Sequence, residues 1–309
     1  MTGSVDPDPP WEEHSPLSSV LRTLHTALGD RIAERAELLV AQLTSPDPAT
    51  RYDAIAMAED LPGSLPRPVL ARLLDLLPDD WAAACMIKRG FIAWWGGHFT
   101  VAAEDTALLL DTLADHMATL RTTHGPDVWA TDNPLVRSAY QEAVMTLADH
   151  RDPRALPDII RALETRLDDW RVLYTVDGYP QAADRLVPLL PDGLRRVDPH
   201  RPDVPIPAGL YLSRLADLKA PIAIRVITDT LAWVSRHQSW TVVTSALDAL
   251  ATFGPAARTA HAQIRPLTNA SDDTVRAAAQ AVLDALTGDK ATVPARSTAE
   301  HSLGQHPPY

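Results

Sequence analysis

The sequence predicts an all-α fold, an α-solenoid built from about seven helical hairpins. Apolar residues recur at the 3.6-residue period of a helix, as in Val275, Ala279, Val282 and Leu286. Turns rich in Pro, Gly and Asp interrupt this pattern about every forty residues, which is a typical solenoid repeat. No segment alternates with period two for long enough to predict a strand. One hairpin cannot bury its own apolar stripe, so stacked neighbours are expected.

The turns delimit the hairpins in order along the chain. Pro46 and Pro48 interrupt the first, because proline cannot continue a helix. A longer loop, residues 122–134, separates the two helices of the third, and Asp272 or Asp273 can cap the second helix of the seventh. The predicted pairs are 31–43 with 51–61, 68–77 with 81–95, 102–120 with 135–148, 156–167 with a helix from 170, 181–197 with 208–218, 221–236 with 239–253, and 255–264 with 273–286.

Both ends of the chain lack helical periodicity. Residues 1–14 are polar and proline-rich, so a flexible tail is expected there. Thr, Ser, His and Pro dominate residues 289–309, which predicts a second, disordered tail. The solenoid is therefore expected to occupy residues 15–288.

Composition and charge exclude several function classes. The net charge of −12 and the pI near 5.3 argue against a protein that binds duplex nucleic acid, because the average field repels phosphates. The single cysteine, Cys85, cannot form an intramolecular disulfide. No apolar run is long enough to span a membrane, and the first residues do not form a signal peptide. A cytoplasmic protein is expected.

Several turns place an acidic residue just before an Arg in the next helix. The pairs are Asp47 with Arg51, Asp132 with Arg137, Asp169 with Arg171, and Asp272 with Arg276. A carboxylate in the turn can accept hydrogen bonds from the free N–H groups at the helix start. The Arg can pair with the carboxylate of its own or an adjacent repeat. Stacked copies would form a ladder of ion pairs.

The pattern of a helix, an Asp-containing turn and a Val-Arg helix start resembles the HEAT-repeat family, including the bacterial HEAT-like repeats of the PBS-lyase type. Val136-Arg137 and Val275-Arg276, with the Ala residues that follow them, match it best. The resemblance covers roughly residues 31–287. It implies a right-handed α-solenoid of about seven HEAT-like hairpins whose second helices line a concave face. It implies no reaction.

Candidate binding residues come from two unusual stretches and one helix. Trp94 and His98 flank a Gly-Gly pair, which indicates either an aromatic binding rim or a crowded helix end. Trp129 and Asp132 lie in the long loop, where an apolar ring indicates docking on the protein itself or on a partner. Tyr174 lies in the helix that starts at 170 and completes the set.

Catalytic and metal motifs are not evident in the sequence. The acidic pairs Asp79-Asp80 and Asp168-Asp169 resemble acid–base pairs, but they recur where helix caps are expected. The histidines are scattered, with no HExxH or CxxC spacing, and no glycine-rich loop follows a strand. No catalytic residue, metal or cofactor is predicted.

The leading functional hypothesis is a non-enzymatic scaffold that binds a protein or peptide on its concave face. The acidic balance favours a partner with a basic surface. Two alternatives use the same scaffold: a HEAT-like alkylpurine DNA glycosylase, and a lyase or chaperone for a small cofactor. For the glycosylase, the candidate aromatic and carboxylate residues of the concave face are Trp94, Trp129, Asp132 and Trp170. The lyase or chaperone follows from the resemblance alone, and the oligomeric state is not predicted.

Overall fold

The computed structural model describes residues 18–78, 99–165, 171–191, 208–237 and 239–287. Within these ranges the chain is helical, and extended backbone pairs only in an isolated parallel bridge between Ser64 and Thr100. The all-α prediction is confirmed for this part of the chain. The chain divides into two compact units, unit 1 (Met1–Tyr179) and unit 2 (Pro180–Tyr309). The extents predicted for the solenoid and the two tails stay predictions.

The helices have the following bounds. Unit 1 contains α1 (Ser18–Leu28), α2 (Ile32–Leu43), α3 (Pro48–Glu59), α4 (Arg67–Leu74), α5 (Thr106–His124), α6 (Pro134–Asp149), α7 (Leu156–Glu164) and α8 (Arg171–Thr175). Unit 2 contains α9 (Ala183–Leu186), α10 (Ala208–Asp217), α11 (Pro221–Arg236), α12 (Trp240–Ala251), α13 (His261–Ile264) and α14 (Asp273–Thr287). Short 3-10 turns lie at Ala103–Asp105, Val128–Ala130, Pro153–Ala155, Val176–Gly178, Pro180–Ala182, Gly254–Ala260 and Arg265–Asn269.

Unit 1 is held together by contacts between neighbouring hairpins. Helix α2 packs on α3 and α4, α5 packs on α4 and α6, and α6 packs on α7 and α8. The core between them includes Leu39, Ile55, Leu70, Leu109 and Tyr140, each with no exposed surface. Complete burial of such a side chain stabilises the fold by about 1.5–3 kcal/mol. Burial is therefore the main source of stability in this unit.

Unit 2 consists of two layers of helices. Helices α10, α12 and α14 contact one another in succession and form what we call the front layer. Helix α11 and residues 254–269 also contact each other and form the back layer. The predicted stripe of α14 faces the interior, because Val275, Ala279, Val282 and Leu286 are all at most 2% exposed. The front layer contains the helices that were expected to line a concave face.

Several helix starts follow directly from proline placement. Pro48, Pro134 and Pro221 each occupy the first position of a helix. Proline lacks an N–H group, and the N–H at this position has no partner within a helix, so proline costs nothing there. Its fixed φ is also close to the helical value.

Two predicted helices are broken in the structure. The helix predicted at 181–197 is replaced, over its described part, by a 3-10 turn and the four-residue α9. Pro188 lies just beyond α9 and lacks the N–H that a longer helix needs. The helix predicted at 255–264 is mostly 3-10, and Ala257 inside it has a non-helical backbone with φ −85° and ψ 15°. Apolar spacing alone does not reveal such breaks.

No helix in the described ranges is long and apolar enough to cross a membrane.

Candidate functional site

Three turns in the described residues repeat one arrangement of hydrogen bonds. In each, an Arg of the first helical turn donates from Nη1 to the backbone carbonyl six residues earlier. The arginines are Arg51, Arg137 and Arg276, and the donor–acceptor distances are 2.9, 2.8 and 2.7 Å respectively. The backbone N–H of the same Arg donates to the carbonyl four residues earlier. The three turns therefore match residue by residue in their hydrogen bonds, two of them in unit 1 and one in unit 2.

A capping side chain stands four residues before each of these arginines. Asp47 accepts from two backbone N–H groups of α3. The hydrogen bond from the Thr50 hydroxyl, supported by these two bonds, lowers the pKa of the Asp47 carboxyl. Asp272 accepts from the first turn of α14 at 3.0 Å. In the middle turn the cap is Asn133, which accepts from two N–H groups of α6. Asp132, the residue expected there, lies exposed beside it. Asn133 thus stands four residues before Arg137, as Asp47 does before Arg51.

The arginines of these turns bond to the backbone, and the ladder of ion pairs between stacked repeats stays a prediction. The guanidinium groups satisfy carbonyl oxygens of the preceding turn, because the capping side chains are already engaged by N–H groups at the helix start. Arg276 also forms an ion pair with Asp273 of its own helix. Asp169 and the side chain of Arg171 lie outside the described residues.

Of the candidate binding residues, Trp129 is buried. Its ring is 2% exposed and packs edge-on against Tyr140, with centroids 5.9 Å apart. The long loop thus docks on helix α6 of its own unit, which answers a question that the sequence left open. Tyr174 is 37% exposed. Trp94 and His98 lie outside the described residues.

A closed polar network lies beside Trp129. Asp158 of α7 accepts from the hydroxyl of Tyr140 and pairs with Nη1 of Arg121 at 3.0 Å. Burial raises the pKa of Asp158, while the bond from Tyr140 and the charge of Arg121 oppose the rise. Burial likewise raises the pKa of Tyr140. The Tyr140 hydroxyl and the Asp158 carboxylate are bonded to each other. The network therefore stabilises the packing of α5, α6 and α7, and neither group is free to act in a reaction.

An open groove lies between α10 and α12 in the front layer of unit 2. Its walls are Gly209, Ser213, Ala216, Asp217, Ser245, Asp248, Ala249 and Thr252. It encloses about 400 Å³, including the part open to solvent. The two helices approach so closely here that a Cβ at Gly209 would lie only 3.1 Å from Oγ of Ser245. Small side chains therefore create the groove.

The groove is polar and carries negative charge. Asp217 and Asp248 are exposed at its walls. Asp217 accepts from the Ser213 hydroxyl at 3.4 Å and pairs with Arg214 at 3.2 Å. Hydroxyls and carboxylates together match the donors of a guanidinium or ammonium group. These residues were not predicted from the sequence, although a polar helical stripe opposite the apolar one marks them: Thr241, Ser245, Asp248 and Thr252.

The two layers of unit 2 differ in charge. The helices of the front layer carry Asp217, Asp248, Asp273 and Asp284 against Arg214 and Arg276. The back layer carries Arg225, Arg236, Arg258 and Arg265 against Asp229. The front layer is therefore the acidic side of this unit.

A search of the described side chains finds no group of His, Cys, Asp or Glu that could hold a metal ion.

Comparison with known proteins identifies no family. No family model matches the chain, and no curated protein matches it. Among solved structures, a crystal structure of an engineered protein from the Northeast Structural Genomics Consortium is 14% identical. The match covers 87% of this chain and 91% of that chain, with a TM-score of 0.30. A score this low supports no conclusion about fold or function.

Proposed function

We propose that this protein is a non-enzymatic interaction module that binds a basic segment of another protein on the front layer of unit 2. The observation that carries the proposal is the groove between α10 and α12, whose walls combine Asp217 and Asp248 with hydroxyl groups. We further propose that each unit is a stack of HEAT-like hairpins. The right-handed solenoid of about seven hairpins remains a prediction.

The repeated turns support the HEAT-like assignment. A capping residue, an Arg four positions later and a carbonyl two positions before the cap recur at 45–51, 131–137 and 270–276. Their separations correspond to about two and three repeats of the length typical of HEAT repeats. Recurrence of a detailed bonding pattern at multiples of one length is the expected mark of internal repetition.

The shape of the groove supports a side chain as its occupant. Lys and Arg have long apolar stems with a charge at the end. The stem can lie along Ala216 and Ala249, while the charged group reaches Asp217 or Asp248. Guanidinium groups form paired hydrogen bonds with carboxylates, so Arg fits better than Lys.

The charge of the front layer supports a basic partner. Complementary charge accelerates encounter and excludes partners of the wrong sign. The same charge repels phosphates, so duplex DNA and the glycosylase alternative receive no support from this surface.

The test is binding of a defined probe to charge-neutral variants. The probe is a fluorescein-labelled decapeptide of alternating Arg and Ser, and fluorescence anisotropy measures its affinity at about 50 mM salt. The double variant D217N/D248N should bind at least about tenfold more weakly, because charge-assisted hydrogen bonds are lost. D229N is the matched control, since Asp229 is an exposed carboxylate of the back layer.

Three results would contradict the proposal. The first is wild-type protein that binds the Arg peptide no better than the same peptide with Glu in place of Arg. The second is D229N weakening binding as much as D217N/D248N. The third is binding that does not weaken between about 50 and 300 mM salt, because an electrostatic contact at a surface must be screened.

A further inference from the structure

Helix α1 is attached to unit 1 through a buried histidine. The helix contacts α2 and α3, and His25 on its inner face is 4% exposed. Nε2 of His25 lies 3.2 Å from Oε1 of Gln42 in α2. Because an amide oxygen only accepts hydrogen bonds, this nitrogen carries the ring proton, and Nδ1 is unprotonated in the neutral ring.

The interface around His25 is short of hydrogen-bond partners. Nδ1 of His25, Nε2 of Gln42 and Nε of Arg35 are buried, and no described residue pairs with any of them. A second proton on the imidazole would turn Nδ1 into a buried donor without an acceptor. An unsatisfied buried donor is costly, and a charged one more so.

The charges that face His25 also disfavour its protonation on balance. Burial has the largest effect and lowers the pKa of His25. The hydrogen bond to Gln42 opposes it, Arg35 of α2 lowers the pKa further, and Asp60 after α3 raises it. The guanidinium of Arg35 is held in place by the carbonyls of Gly29 at 3.3 Å and Asp60 at 3.1 Å. Arg35 is therefore a fixed positive charge near the ring.

The remaining contacts of α1 are limited. Val20 and Leu24 are 53% and 45% exposed on its outer face. Leu21 and Leu28 beside His25 are only half-buried. Little apolar burial therefore offsets the cost of a charge at position 25.

We propose that His25 makes the docking of α1 on α2 and α3 pH-sensitive, so that α1 detaches as the medium becomes acidic. The pKa of His25 is lower in the docked state than in the detached state. The docking free energy is thus fully present above the ordinary histidine pKa of about 6.5 and is lost as the pH falls through the docked-state value. This property is independent of the front layer of unit 2.

Amide hydrogen exchange tests the proposal on the full-length protein. Protection of residues 22–28 is measured between pH 7.5 and 5.0 and corrected for the intrinsic exchange rate at each pH. The opening constant of α1 should rise below about pH 6.5, by up to tenfold per pH unit for one proton. Protection of α11 should not change. In H25Q, whose side chain stays neutral, the opening constant of α1 should not depend on pH, and H261Q should behave as the wild type because His261 is exposed.

Two results would overturn the proposal. One is an opening constant of α1 in the wild type that stays constant across this pH range. The other is a pH dependence in H25Q equal to that of the wild type. If H25Q does not fold, titration of the His25 ring by NMR in the wild type decides the question, because a pKa at or above about 6.5 contradicts the proposal.

Discussion

The two units use similar polar residues in opposite ways. In unit 1, Asp158 lies in a closed network with Tyr140 and Arg121, and its side chain is only 8% exposed. In unit 2, Asp217 and Asp248 stand open at the walls of a groove. The buried Tyr140 bonds directly to Asp158, whereas small residues such as Gly209 and Ser245 line the open groove. The size of the neighbouring side chains determines whether a carboxylate is buried within the fold or exposed at a surface.

Replacing an aspartate by alanine in the network of unit 1 and in the groove of unit 2 tests this comparison. D158A leaves Tyr140 and Arg121 without their acceptor and should lower the free energy of unfolding by about 3 kcal/mol. The loss stays below that of a fully buried ion pair, since Arg121 is 37% exposed and partly screened. D217A in the groove should change the free energy by less than about 1 kcal/mol, because the bonds of Asp217 to Ser213 and Arg214 lie at the surface. Urea unfolding followed by circular dichroism measures both, and equal losses would contradict the distinction.

Removing the Arg of a turn should lower the free energy of unfolding by a smaller amount, and the loss should be similar in the two units. Arg137 in unit 1 and Arg276 in unit 2 make the same bond to a carbonyl six residues earlier. R137A and R276A should each cost about 1 kcal/mol, the usual net value of such a bond. The same urea experiment measures them. R161A is a useful control, because Arg161 makes only a surface ion pair with Asp127 and should cost less. A large loss in one turn and none in the other would argue against a common repeat.

Most helices could be predicted from the sequence, because apolar periodicity and proline placement act locally. Helix α11 was predicted at the bounds that the structure shows, and the stripe of α14 is buried as expected. The broken helices at 181–197 and 255–264 escaped prediction. The proline after α9 and the non-helical backbone at Ala257 interrupt a favourable apolar pattern there.

The polar sites were less predictable than the helices. The cap at Asn133 was assigned to Asp132 because a carboxylate was expected, whereas an amide oxygen accepts the same bonds. The burial of Trp129 could not be predicted from the sequence, because it depends on a non-local contact with Tyr140. The groove depends on Gly209 meeting Ser245 across two helices, and no spacing along the chain encodes that meeting.

Site-specific photocrosslinking tests the location of the proposed binding surface most directly. A benzophenone amino acid replaces Thr252 at the groove in one variant and the exposed Ile222 of the back layer in another. Each variant is illuminated with the labelled Arg-Ser decapeptide, and covalent products are quantified by mass spectrometry. The account predicts that the variant at 252 captures the peptide and that the variant at 222 does not. Equal capture at both positions, or capture only at 222, would contradict it.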